Sequence, residues 1–131
     1  MDKDLPVKHF DYASPAAERA YKGLPDDVLA TFGFDLWQVQ RGKVPASSKT
    51  LKGFGSADVR ELIDDDEAGT YRAVYTVRLE DAVYVLHAFQ KKSKKGIETD
   101  RQTVDLIKQR LKDAEARHKA WQAKKQEESG P

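Results

Sequence analysis

The stretch YRAVYTVRLEDAVYVLHAFQKKSKK, residues 71–95, holds two runs of β-branched and aromatic residues, 71–79 and 83–89, parted by Glu80, Asp81 and Ala82. That is the pattern of a β-hairpin, because such side chains suit a pleated, half-buried surface and the polar break supplies a turn. The second run empties into four lysines within five residues, Lys91, Lys92, Lys94 and Lys95. Charge at the end of a strand is held in place by the sheet, as charge on a loose tail is not. Alternate strand residues share a face, so Arg72 and Arg78 fall on one side.

The stretches around the hairpin supply its partners. A short strand is expected over 7–10. Ser14-Pro15 reads as an N-cap and first helical residue opening a helix to about Lys22. After Gly23-Leu24-Pro25, a second helix is expected over 26–41. Its apolar residues Val28, Leu29, Phe32, Leu36 and Val39 make one stripe, and Gly42 fits a left-handed C-terminal cap. Gly33 lowers helix propensity and is expected to permit close packing on the sheet. Residues 43–56 read as a linker carrying Lys49 and Lys52 in KTLKGFG. Residues 58–63 (DVRELI) read as a strand, and the acidic run 64–67 as a solvated turn. From Thr99, the expected N-cap, Val104, Ile107, Leu111, Ala114, His118 and Trp121 recur at helical spacing. The order predicts an α+β fold: an N-terminal helical hairpin packed on a small, mostly antiparallel twisted sheet, with a long C-terminal helix. The chain divides into an N-terminal segment at 1–13, a compact domain at 14–114, and a charged helical extension with a disordered tail at 115–131.

A chain of 131 residues can bury a core as one domain. Without Cys it has no disulfide or thiolate site, and neither a signal-like nor a membrane-length apolar run is present, so a soluble cytoplasmic protein is expected. The net charge of +1 hides an asymmetry, since residues 82–125 carry 12 basic and 5 acidic side chains. A polyanion partner is one reading of that bias, and a solvated helical surface is the other.

Chemistry is harder to place. Walker, GxGxxG, HExxH and GxSxG motifs are absent, and His9, His87 and His118 lack metal-ligand spacing. RNA cleavage asks less of a protein, because the 2′-hydroxyl of the RNA is the nucleophile. Arginine suits charge stabilisation on phosphate, histidine titrates near neutrality, and lysine transfers protons only with a lowered pKa. Each group also has a structural role open to it. His87 fits a sheet residue, Arg72 could pair with a carboxylate of the 64–67 run, and the lysines could guard a sheet edge.

The ordered set LPDDVLATFGFDLWQVQRG, KTLKGFG, VREL, YRAVY and VYVLHAFQKKSKKG, covering residues 24–114, resembles the phage-related, HigB-like host-inhibition toxins of the RelE/ParE superfamily. The resemblance implies a compact α+β toxin that cleaves mRNA on the ribosome without metal or cofactor. It also implies a HigA-like helix-turn-helix antitoxin, through which alone the toxin meets operator DNA. By position it implies Arg72 for phosphate stabilisation, and Lys91 or Lys92 for charge stabilisation or proton transfer. Arg60 belongs to the same set, and Lys49, Lys52, Lys94 and Lys95 would hold RNA backbone. RelE has a tyrosine shortly after the basic pair. Here IETDRQ has none, which leaves the acid–base role to His87 or a lysine. The ParE branch, on the same scaffold, implies the alternative of a non-catalytic inhibitor of DNA gyrase or another protein.

Overall fold

A computed structural model describes residues 7–56, 58–66, 69–91 and 99–130. The elements run β1 (His9–Tyr12), α1 (Pro15–Lys22), α2 (Asp26–Gln40), β2 (Ser48–Thr50), β3 (Val59–Asp66), β4 (Gly69–Thr76), β5 (Ala82–Lys91) and α3 (Arg101–Ser129). The five strands form one sheet in the order β1-β5-β4-β3-β2. Neighbours are antiparallel except β1, which runs parallel to β5.

The expected hairpin is β4–β5, at the centre of the sheet. Every residue of β4 is buried, as a strand covered on both faces must be. One face packs on α2: Val28, Phe32, Leu36 and Val39 meet Leu62, Ala73, Tyr75, Val83 and Val85. The other packs on α3: Ile107, Leu111 and Ala114 meet Val59, Val74, Tyr84 and Leu86. The α1 helix serves both cores, with Ala17 in the α3 cluster and Tyr21 in the α2 cluster. The sheet lies between α2 and α3, and α1, the other helix of the expected N-terminal hairpin, contributes to both cores.

The caps follow the sequence. Ser14 Oγ accepts from the Ala17 N–H at 3.1 Å, Pro15 opens α1, and Gly42 past α2 has φ of 83°. Several boundaries shift for visible reasons. The first strand starts at His9 because the Lys8 N–H is taken by the Gln40 carbonyl at 2.9 Å. The 43–56 linker contains β2, whose polar side chains gave no alternation to read. Asp64–Asp66 lengthen β3 rather than forming a turn, paired with Gly69–Tyr71, and Thr70 Oγ1 donates to Asp65 at 2.6 Å. Gly33 faces away from the sheet, since a Cβ there would meet nothing within 4 Å. Asp100, not Thr99, caps α3 by accepting from the Thr103 N–H at 2.8 Å, an interaction that holds its carboxyl below the ordinary range.

Candidate functional site

The strand register decides which candidate residues meet. Along β3, Val59, Glu61 and Ile63 face α3, whereas Arg60 and Leu62 face the α2 side. Lys49 of β2 lies opposite Glu61, and Glu61 lies opposite Val74 of β4. Arg72, two residues before Val74, therefore reaches Glu61 diagonally on the α3 face. Its Nη1 donates to Glu61 Oε1 at 2.8 Å, and their side chains are 3% and 2% exposed. Thr99 Oγ1 stands between them, 3.4 Å from Arg72 Nη1 and 3.3 Å from Glu61 Oε2. Its hydroxyl is engaged with this pair, which is why the cap falls to Asp100. Arg72 thus pairs with Glu61, a carboxylate from the middle of β3 that precedes the 64–67 run.

Beside the pair lies a cavity of about 180 Å³, lined by Lys49, Thr50, Leu51, Lys52, Glu61, Thr99 and Val104. Lys49 Nζ is 3.9 Å from Glu61 Oε1 and its side chain is 46% exposed, so one lysine links the buried pair to solvent. Lys91 sits opposite Thr70, half-buried, and close enough to Asp100 to help hold that carboxyl ionised. The structure therefore brings Lys49, Lys52 and Arg72 together around Glu61, and sets Lys91 near Asp100 at the start of α3.

Two other candidates lie elsewhere. Arg60 is on the opposite face: its Nε donates to Ser48 Oγ at 2.8 Å and its Nη1 to Thr50 Oγ1 at 3.0 Å. Ser48 Oγ in turn meets the Tyr75 hydroxyl at 2.7 Å. His87 lies opposite Val74, just after an extra residue, Leu86, bulges from β5. It stacks on Phe89 with centroids 5.5 Å apart, and its pKa is lowered by burial and secondarily by Arg110. Arg78, past the end of β4, reaches the Phe54 carbonyl at 3.4 Å and Ser56 Oγ at 3.3 Å. Lys92, Lys94 and Lys95 lie outside the described residues.

A second polar cluster ties α3 to β1. His9 and Trp121 stack with centroids 4.1 Å apart, and the Tyr84 hydroxyl meets His118 Nδ1 at 3.2 Å. Burial lowers the pKa of His118, against the pull of Asp81 and the Glu80 carbonyl, and raises Tyr84 to about 12. A neutral His118 that accepts at Nδ1 gives the buried Tyr84 hydroxyl its partner. Among the described residues, no group of three or more His, Asp or Glu is placed to hold a metal, and no helix is long and apolar enough to cross a membrane.

Residues 20–112 match the family described as Phage derived protein Gp49-like (DUF891). The chain belongs to that family. Among solved structures, this Gp49-like protein is similar to a chain of the toxin–antitoxin complex RelBE2 from Mycobacterium tuberculosis. The identity is 18%, over 71% of this chain and 100% of that one, with a TM-score of 0.45. No curated protein matched the sequence. The family match leaves out residues 1–19 and 113–131, and with them the outer part of α3.

The sequence reading missed Glu61 and Thr99. A signal for Glu61 was present, since in DVRELI it shares the inward side of the strand with Val59 and Ile63. An acid there requires a cation, and the next strand offers Arg72. Nothing comparable pointed to Thr99, whose role depends on where α3 crosses the sheet.

Proposed function

We propose that this protein is the toxin of a type II toxin–antitoxin system. In this reading it is a ribosome-dependent mRNA endoribonuclease restrained by a HigA-like helix-turn-helix antitoxin. The observation that carries the proposal is that Lys49 and Lys52 line one cavity beside the Arg72–Glu61 pair, with Lys91 near the start of α3. Such an arrangement suits an RNA backbone, and membership of a phage-derived family suits a protein that acts on a host.

Cleavage would use the RNA's own 2′-hydroxyl. That group gives up its proton and its oxygen bonds to the adjacent phosphorus. The bond from phosphorus to the 5′-oxygen breaks, and that oxygen takes a proton, leaving a 2′,3′-cyclic phosphate and a 5′-hydroxyl. Lys49 and Lys52 would offset the charge that builds on the phosphorane. His87, kept neutral by burial, has the right state to accept a proton, but its place is under α3 beside Phe89. Lys91 is the candidate for returning a proton. Arg72 would reach phosphate only by leaving Glu61.

That last point favours a second reading, a non-catalytic toxin that docks on DNA gyrase or another host protein. Primer extension on a reporter mRNA in a reconstituted translation system separates the two. Ribosome-dependent cuts that disappear in a Lys49→Ala/Lys52→Ala variant support the nuclease. Intact message alongside growth arrest rejects it and moves the target to a protein.

A further inference from the structure

The face of α2 turned away from the sheet carries a second, ordered stripe. Asp27, Ala30, Phe34, Trp37 and Arg41 recur at spacings of three, four, three and four, the repeat of a coiled-coil seam. The inward stripe of Val28, Phe32, Leu36 and Val39 is buried, yet Phe34 is 62% and Trp37 43% exposed. Two large aromatics a turn apart on an open helix face form an apolar patch, unlike a scatter of single residues. Beside them Gly33 leaves the backbone bare, with space for a neighbouring helix to approach closely.

The charges are ordered too. Asp26 and Asp27 begin the helix, whereas Arg41 and Lys43 follow its last turn. Arg41 already leans over the Trp37 ring, 5.9 Å from its centroid, so its charge is held on this face. Asp27 and Arg41 are equally distant from Phe34, about 10 Å along the axis on either side. A pattern with opposite charges at equal distances from its centre is its own complement when a copy is turned end for end.

We propose that the outer face of α2 is a homodimer interface, in which two copies of α2 pack antiparallel about a two-fold axis at Phe34. There Phe34 meets its counterpart, the small Ala30 lies across from the large Trp37 of the other copy, and Asp27 lies across from its Arg41. The helix dipoles oppose one another, which adds to the fit. A single helix pair is small for a specific interface, so the dimer is a weak one that dissociates on dilution. The proposal is independent of the toxin reading, because none of these residues belongs to the cavity site.

Sedimentation equilibrium on the full chain, from low micromolar to several hundred micromolar, tests it. The expected result is a concentration-dependent monomer–dimer equilibrium that Phe34→Glu abolishes, with circular dichroism and melting unchanged because Phe34 is exposed. Asp27→Arg or Arg41→Asp alone should weaken association about tenfold, since each removes two symmetric ion pairs and sets like charges together. The double variant Asp27→Arg/Arg41→Asp, with each pair reversed, should recover most of it. A chain that stays monomeric at every concentration overturns the proposal, leaving the face to a different protein. So does a dimer that Phe34→Glu leaves intact.

Discussion

Arg72 and Glu61 meet diagonally across β3 and β4, 2.8 Å apart and almost sealed from solvent by α3. Neither charge could stay there alone, because desolvation without a partner costs more than the fold can spare. Arg72→Ala takes the guanidinium from the buried Glu61 carboxylate, leaving it Thr99 and the more distant Lys49, and Glu61→Ala takes the carboxylate from the guanidinium. Either change should cost about 3–5 kcal/mol in urea unfolding. Replacing both, as Glu61→Leu/Arg72→Met, should return most of that loss, since a well-packed apolar pair is no worse than a buried ion pair. If the double variant is as unstable as the singles, the pair does more than neutralise itself. The same result bears on function: lost toxicity in Arg72→Ala alone would report unfolding as readily as a missing catalytic group.

The rim lysines permit a cleaner test. Lys49 is half-exposed and touches Glu61 only at 3.9 Å, a distance at which a surface ion pair contributes little. Lys49→Ala/Lys52→Ala should therefore shift stability by less than about 1 kcal/mol. RNA affinity, measured in a salt titration, should fall, with a shallower slope of log affinity against log salt because two phosphate contacts are gone. An unchanged slope would remove these lysines from any RNA-binding surface.

How far the sequence carried the reading can be seen at single residues. The runs Tyr71–Leu79, of which β4 takes the part to Thr76, and Val83–Phe89 announced the central strands, because a strand buried on both faces must be apolar or β-branched nearly throughout. The stripe of Val28, Phe32, Leu36 and Val39 announced which side of α2 would be inside. By contrast, Ser48–Thr50 is polar and owes its strand state to pairing with Arg60–Leu62, a tertiary effect with no local signature. The site was only half legible. Alternation could put Arg72 on a face, but not tell whether that face would be open or covered. The answer came from α3, whose seam residues Ile107 and Leu111 fix it against β4 and β5. Arg60 looked equivalent to Arg72 until the register set them on opposite sides.

Three histidines are poised to make stability fall with acid. His9, His87 and His118 all have lowered pKa values, in each case chiefly because burial disfavours the charged ring. The unfolded chain, with imidazoles near 6.5, then binds more protons than the folded one. Their contribution is present in full above about pH 6.5 and is lost as pH falls through that value towards the folded pKa values. Asp11 opposes the shift at His9, and Asp81 with Glu80 opposes it at His118. Arg110, a like charge, adds to it at His87. Urea midpoints between pH 7.5 and 5 should decline, and His87→Phe, which also keeps the stack on Phe89, should flatten the decline. A His87→Phe variant that tracks the parent at every pH would show that this imidazole titrates normally.

The outer part of α3 separates into a docked half and a free one. Arg117 Nη1 donates to the Tyr12 carbonyl at 2.6 Å, His118 is buried against Tyr84, and Trp121 stacks on His9. Beyond that stack every residue from Gln122 to Gly130 is exposed, with Lys125 over the outer side of the Trp121 ring at 4.9 Å. Helix beyond Trp121 therefore has no core to bury and depends on propensity and local pairs alone. Ending the chain after Gln122 should leave the melting temperature within a degree or two, apart from fraying of the new end. Ending it after Ala114 removes Arg117, His118 and Trp121 together. It leaves the Tyr84 hydroxyl without its partner and opens the end of the sheet, at a cost of about 2–4 kcal/mol. Melting curves of the two truncations, run beside the full chain, decide the matter. Equal losses would mean that the distal helix is held by contacts other than the His9–Trp121 stack, and equal stability would mean that His118 and Trp121 pack without holding.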